Sequence, residues 1–166
     1  MAVVSNTTPL NYLVQIGHPD LLFQLFGQVL IPRAVVDELT VEATPDVVRR
    51  WVQEPPSWIE IRNVNLTPDD TLLRLHPGER EAIVLAQTLA LPLLVDERAA
   101  RQDAKRRGVT IVGTLRALDE GAERGLLDFA SALSRLRATT FYISTKVLDP
   151  LFKRDRERVN RRQRSD

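Results

Sequence analysis

Five short apolar segments punctuate this chain, at residues 3–5, 29–31, 58–64, 91–95 and 109–112, and stretches with helical spacing separate each from the next. Strands joined through helices run parallel and are covered on both faces. The pattern therefore predicts an α/β fold. Helices are expected at 9–17, 20–26, 32–42, from Pro45 to the Pro55-Pro56 stop, and at 79–90, 97–107, 114–124, 128–136 and from about 144 onward. A polar loop is expected at 67–70. No repeat, linker or second domain interrupts the 166 residues, a length suited to one core.

The side-chain inventory narrows the chemistry. There is no cysteine, so disulfides, thiol nucleophiles and thiolate metal sites are excluded. The two histidines, His18 and His76, lie far apart and each precedes a proline, which excludes a two-histidine zinc motif. Any catalysis must rest on carboxylates, hydroxyls, lysine or arginine, and clustered carboxylates without soft ligands favour Mg²⁺ or Mn²⁺. No apolar run approaches the roughly 18 residues that span a membrane, and the N-terminus lacks a signal-peptide pattern, so a cytoplasmic location is expected. A net charge of +1 gives no global field for nucleic acid. The end of the chain is strongly basic, from Lys153 to Arg164, and reads equally as a solvated helix end or as a phosphate-binding arm.

Acidic and amide groups fall where α/β proteins place their sites. Asn6 follows the first strand directly, with Thr7, Thr8 and the helix-starting Pro9 behind it. Asp96 and Glu97 follow the apolar run 93–95 and suit either a site or a helix cap. Glu38 sits at the border of the apolar stripe Val35, Val36, Leu39. Glu79 shares one helix face with Ala82, Ile83, Ala86 and Ala90, whereas Glu81 points away and is expected in solvent. A carboxylate heading a packing face needs a partner, a metal or a raised pKa, or else complements the helix dipole.

In order and spacing, these segments resemble the PIN-domain nucleases, the group that includes VapC toxins. The resemblance is nearest to a branch with an N-terminal Ser-Asp/Asn-Thr-Ser-Pro-Leu motif. Val-Val-Ser-Asn-Thr-Thr-Pro-Leu at residues 3–10 is similar to the family's first strand, with its acidic position at Asn6. The segment 31–39 resembles the one that carries the second acid, at Glu38. Gly78-Glu79-Arg80-Glu81-Ala82-Ile83 resembles the helix with the third acid, at Glu79, and 93–98 resembles the fourth segment, with Asp96 and Glu97 both retained. Val112-Gly113-Thr114 is similar to the family's Gly-Thr after the last buried strand. The chain departs from the usual pattern at Asn6, where most members carry aspartate.

The resemblance implies a three-layer α/β/α sandwich with a parallel sheet of about five strands over residues 1–145, followed by a C-terminal helix and basic tail at 146–166. It implies Mg²⁺- or Mn²⁺-dependent cleavage of RNA, with Asn6, Glu38, Glu79, Asp96 and Glu97 holding the metal. Ser5, Thr7, Gly113 and Thr114 would position water or phosphate. Arg98, Arg101, Lys105 and Arg106 would track the RNA backbone. The implied partners are RNA, a second copy of the chain in a homodimer, and a small antitoxin protein. Two other readings are a PIN-fold module that binds RNA or protein without cleaving it, and a different Mg²⁺-dependent phosphohydrolase on a similar sheet.

Overall fold

The computed structural model describes residues 1–67 and 72–165; part of the loop expected at 67–70 lies outside them. The elements run β1 (Ala2–Ser5), α1 (Thr7–Gln15), α2 (Asp20–Phe26), β2 (Gln28–Pro32), α3 (Arg33–Leu39), α4 (Asp46–Gln53), β3 (Ile59–Arg62), α5 (Pro77–Leu89), β4 (Leu93–Leu94), α6 (Arg98–Arg106), β5 (Ile111–Val112), α7 (Thr114–Glu123), α8 (Phe129–Arg137) and α9 (Thr145–Gln163). The five strands form one parallel sheet in the order β3-β2-β1-β4-β5.

Alternation along the strands builds the two sides of the core. Val3, Val29, Ile31 and Leu94 point to one face, where α1, α2, α3, α7 and α8 deliver Leu10, Leu13, Leu22, Val35, Leu118 and Leu133. Val4, Leu30, Leu93 and Val95 point to the other, against α5 and α6. Those two helices approach the sheet through small side chains, Ala82, Ala86, Ala100 and Ala104, all fully buried. The chain leaves β1 toward β2 and β3 on one side, then crosses to β4 and β5 on the other. This reversal sits between β1 and β4, and the carboxyl ends of these strands open onto the crevice where α/β folds bind ligands.

Several boundaries differ from the sequence expectation, each for a local reason. Helix α1 starts at Thr7, not Pro9, because the Asn6 side-chain oxygen Oδ1 accepts the Thr7 N–H at 2.6 Å and caps it. Strand β4 keeps only two residues; Pro92 has no N–H to give the ladder, and its carbonyl accepts from Val4 N at 2.9 Å. Helix α5 begins at Pro77 and ends before Ala90, which takes a left-handed conformation (φ 53°) and is exposed, so it leaves the packing face on which it was expected. Glu81 is half-buried, and its carboxylate accepts the Ala34 N–H at the start of α3 at 3.3 Å. Gly113, not Thr114, is the N-cap of α7.

The basic tail is helical through Gln163 and is largely engaged by α7. Arg158 is buried and donates to Asp119, which is buried as well, to Glu123 at 2.9 Å and to Asp155 at 2.7 Å. Its guanidinium lies 5.7 Å from the Phe129 ring centroid. Arg154 joins Asp119, Arg161 joins Glu123, and Arg162 donates to the Ala122 carbonyl. These arginines fasten α9 to the domain. Arg158→Met is expected to lower the unfolding free energy by about 3 kcal/mol, because it strips a buried carboxylate of a partner. Arg156→Met, at an exposed position of the same helix, should stay within about 0.5 kcal/mol of the parent in denaturant titrations.

Candidate active site

Three consecutive residues at the carboxyl end of β1 organise the crevice. Asn6 is buried; its amide nitrogen donates to Glu97 Oε2 at 3.0 Å. The Thr7 hydroxyl donates to Glu38 Oε2, and the Thr8 hydroxyl donates to Glu97 Oε1. The other Glu38 oxygen accepts the Gly78 N–H at 2.7 Å, at the start of α5. Glu79, one residue on, is buried, and its Oε2 accepts the His76 N–H at 2.9 Å as a cap of the same helix. Residues from α1, α3, α5 and the β4–α6 junction thus meet at one end of the sheet.

The charges feel one another. Burial pushes the Glu79 carboxyl above its ordinary range, the His76 N–H opposes that, and the charges of Glu97 and Glu38 push it further up. Asp96 is likewise raised, first by burial; its hydrogen bonds from Thr114 oppose the shift, the Glu97 charge adds to it and Arg101 opposes it. Thr114 gives Asp96 both its backbone N–H, at 2.8 Å, and its hydroxyl, at 2.6 Å. A Cβ at Gly113 would stand 3.1 Å from Arg101 and 3.3 Å from Asp96, so glycine leaves room for both side chains.

The five acidic and amide positions expected from the sequence therefore lie at the same end of the sheet, in different roles. Asn6 reaches Glu97 through its amide nitrogen while its side-chain oxygen Oδ1 accepts the Thr7 N–H and caps α1. The Ser5 hydroxyl donates to the Asn6 backbone carbonyl oxygen at 2.9 Å. Gly113 and Thr114 hold Asp96; the Thr114 N–H expected to await a phosphate already has a carboxylate. Of the basic positions on α6, Arg98, Arg101 and Lys105 share a surface hollow with Asp96, whereas Arg106 pairs with buried Asp103. Sequence reasoning missed Thr8 and Gly78 as site residues. The pair of hydroxyls directly after a strand was the available signal for Thr8; Gly78 had none beyond its place before Glu79.

Glu38, Glu79, Asp96 and Glu97 are a donor set of hard oxygens, chemically suited to a divalent cation such as Mg²⁺ or Mn²⁺. Among the described residues, no group of three or more Asp, Glu or His side chains stands close enough to hold one cation in common. Each of the four carboxylates is instead held by at least one N–H or O–H donor.

A doubly covered parallel sheet with acidic side chains gathered at its switch point defines an α/β domain with an acidic crevice. The chain belongs to the PIN-domain family DUF3368, whose match spans residues 2–157. PIN domains are generally nucleases that typically use divalent metals. Among solved structures, a PilT N-terminus domain protein from the hyperthermophilic archaeon Sulfolobus solfataricus P2 aligns with TM-score 0.45 and 14% identity, over 87% of this chain and 100% of that one. No curated protein matches the chain.

The raised Glu79 pKa fixes the sign of a stability effect. A folded-state value above the ordinary 4.5 means that ionisation disfavours the folded state, so the stability present at low pH is lost as pH rises through the raised value. In EDTA, Glu79→Gln is expected to raise Tm at about pH 7, and the gain should vanish below about pH 4, where the parent carboxyl is protonated in both states. Equal Tm values for the two proteins at both pH values would show that Glu79 carries no such strain.

Gly78→Ala should disturb the site directly. The added Cβ would lie 2.5 Å from Glu38 Oε2, so the Glu38 carboxylate must leave its place. Divalent-cation affinity measured by calorimetry is expected to fall for this variant, while the far-ultraviolet circular dichroism spectrum stays that of the parent.

Proposed function

We propose that this protein is a metal-dependent ribonuclease of the PIN and VapC type, which hydrolyses RNA phosphodiester bonds with Mg²⁺ or Mn²⁺. The observation that carries the reading is the placement of Glu38, Glu79, Asp96 and Glu97 at the sheet's switch point, where Glu38 accepts the N–H of Gly78, next to Glu79, and Glu97 is held by Asn6 and Thr8. Like charges gathered at one end of a sheet repel less when a cation enters among them.

Glu38, Glu79, Glu97 and Asp96 would hold the ion by turning toward it, since no three of them stand within reach of one cation in the present arrangement. When bound, a divalent ion activates water and offsets charge at the scissile phosphate. The chain's own groups do the rest. Thr7 and Thr8 fix the orientations of Glu38 and Glu97 through their hydroxyls. Thr114 fixes Asp96. Asn6 supplies a donor to Glu97, and this N–H takes up part of the carboxylate charge where an aspartate would add to it. Arg98, Arg101 and Lys105, beside Asp96, present cations to the RNA backbone. The resemblance to VapC toxins supports assigning the chain to a toxin–antitoxin pair in the cytoplasm, as a homodimer bound by a small antitoxin.

A second reading is favoured by one observation. Because Asn6 turns its nitrogen toward Glu97, the acidic crevice is partly satisfied without metal, as expected of a PIN-fold module that binds RNA without cleaving it. Incubation of a mixed RNA pool with Mn²⁺ separates the two. The unaltered chain is expected to cleave, Glu79→Gln to lose at least a hundredfold in rate, a step of the size seen when one charge-stabilising group is removed from an active site, and Asn6→Asp to cleave at lower Mn²⁺ concentration. Retention of RNA by the unaltered chain, with cleavage no higher than that of Glu79→Gln, would overturn the enzyme reading in favour of the binding module.

A further inference from the structure

Beside the carboxylates lies a cleft of about 960 Å³, bounded on one side by Thr8, Asp96 and Glu97 and on the other by the segment that joins α8 to α9. That volume is at the upper end of the roughly 300–1,000 Å³ of small-molecule sites. Its wall is firmly fixed. The Tyr12 hydroxyl is 2.8 Å from Thr140 Oγ1, and the Tyr12 ring meets Phe141 edge-on with centroids 5.0 Å apart. Phe141 N donates to Thr139 Oγ1 at 3.1 Å, so three consecutive residues are tied down. Tyr142, the next residue, lines the same cleft with 86% of its surface exposed and no ring contact among the described residues.

An aromatic side chain left so exposed beside an acidic site asks for an occupant. Arg98 and Arg101 line the same cleft, and Arg98 has no carboxylate partner among the described residues. A flat aromatic ring in one cleft with two arginines complements a nucleotide, whose base has a π face and whose linkage carries negative charge. Thr8, bonded to Glu97, and Tyr12, bonded to Thr140, are one turn apart on α1 and line the same cleft, so the helix joins the acidic end to the aromatic wall.

Resting on the ribonuclease reading above, we propose that this cleft is a nucleobase subsite. In it, Tyr142 stacks on an unpaired base of the strand that reaches the acidic site, and Arg98 and Arg101 hold a phosphate of the same strand. The subsite selects RNA whose base is free to leave the stack, because a paired base has no open face for Tyr142. Tyr142 is a positioning and specificity residue: it touches the substrate away from the reacting atoms.

The test uses the full chain with Tyr142→Ala, Tyr142→Trp and the parent. Binding of a fluorescein-labelled single-stranded oligoribonucleotide is read by anisotropy in EDTA, and its cleavage is read in Mn²⁺. Loss of one stacked base should weaken binding about tenfold in Tyr142→Ala, whereas Tyr142→Trp keeps the parent affinity. The same oligonucleotide with an abasic residue at the stacked position should bind parent and Tyr142→Ala alike. A fully paired duplex should bind parent and Tyr142→Ala equally. Melting temperatures are expected to match, since the side chain is exposed. Tyr142-dependent binding without Mn²⁺ cleavage by the parent would support the subsite and overturn only the nuclease reading. Cleavage by the parent, with Tyr142→Ala equal to it in both assays, would overturn the subsite and leave the nuclease reading intact. Failure of the parent to bind the single strand at all, or an equal loss on the duplex, would also overturn the subsite.

Discussion

The structure around the crevice depends on hydrogen-bond donors placed among like charges. Four carboxylates at one end of a sheet repel each other, and a partly buried carboxylate without a donor is costly. The first turn of α1 solves much of this problem through three adjacent residues. Asn6 and Thr8 hold Glu97, and Thr7 holds Glu38. The positive end of the α1 dipole lies at the same place and favours the acids further. Thr114 repeats the device for Asp96 at the start of α7, and the His76 backbone repeats it for Glu79 at the start of α5. Helix N-termini therefore surround the site, and each brings N–H groups that have no carbonyl partner within their own helix.

Much of the architecture was legible in the chain because it follows from periodicity. Five apolar segments with helices between them gave the parallel sheet, and the 3.6-residue repeat placed Glu79 above Ala82, Ile83 and Ala86, all buried. Boundaries were less legible, since they turn on single hydrogen bonds. Asn6 starts α1 two residues early because its side chain captures the Thr7 N–H, and no periodicity reports that event. The packing of Glu81 on the start of α3 and the pairing of Arg106 with Asp103 depend on what a neighbouring element presents, which local sequence does not encode.

The site was legible as a set of residue types and illegible as a set of roles. Asn6, Glu38, Glu79, Asp96 and Glu97 gather as expected, yet Asn6 acts through its nitrogen. Ser5 and Thr114, expected to position water or phosphate, bond protein groups. The basic tail shows the same limit. Its arginines looked available for phosphate, but Asp119 and Glu123 on α7 lie in reach once the helices pack, and Arg154, Arg158 and Arg161 are taken. Charge composition counts cations; only packing tells which are already neutralised.

The bond from Asn6 to Glu97 spans 91 residues of sequence, and that from Gly78 to Glu38 spans 40. Neither half of the sheet contains the crevice. As the chain leaves the ribosome, β1, β2 and β3 are exposed well before the segment that brings Glu97, and until then Asn6 and Thr8 have no acid to hold. Contacts of such long range close late in folding. A truncated or half-synthesised chain thus holds the acids apart, and whatever chemistry they perform together arises only in the finished domain.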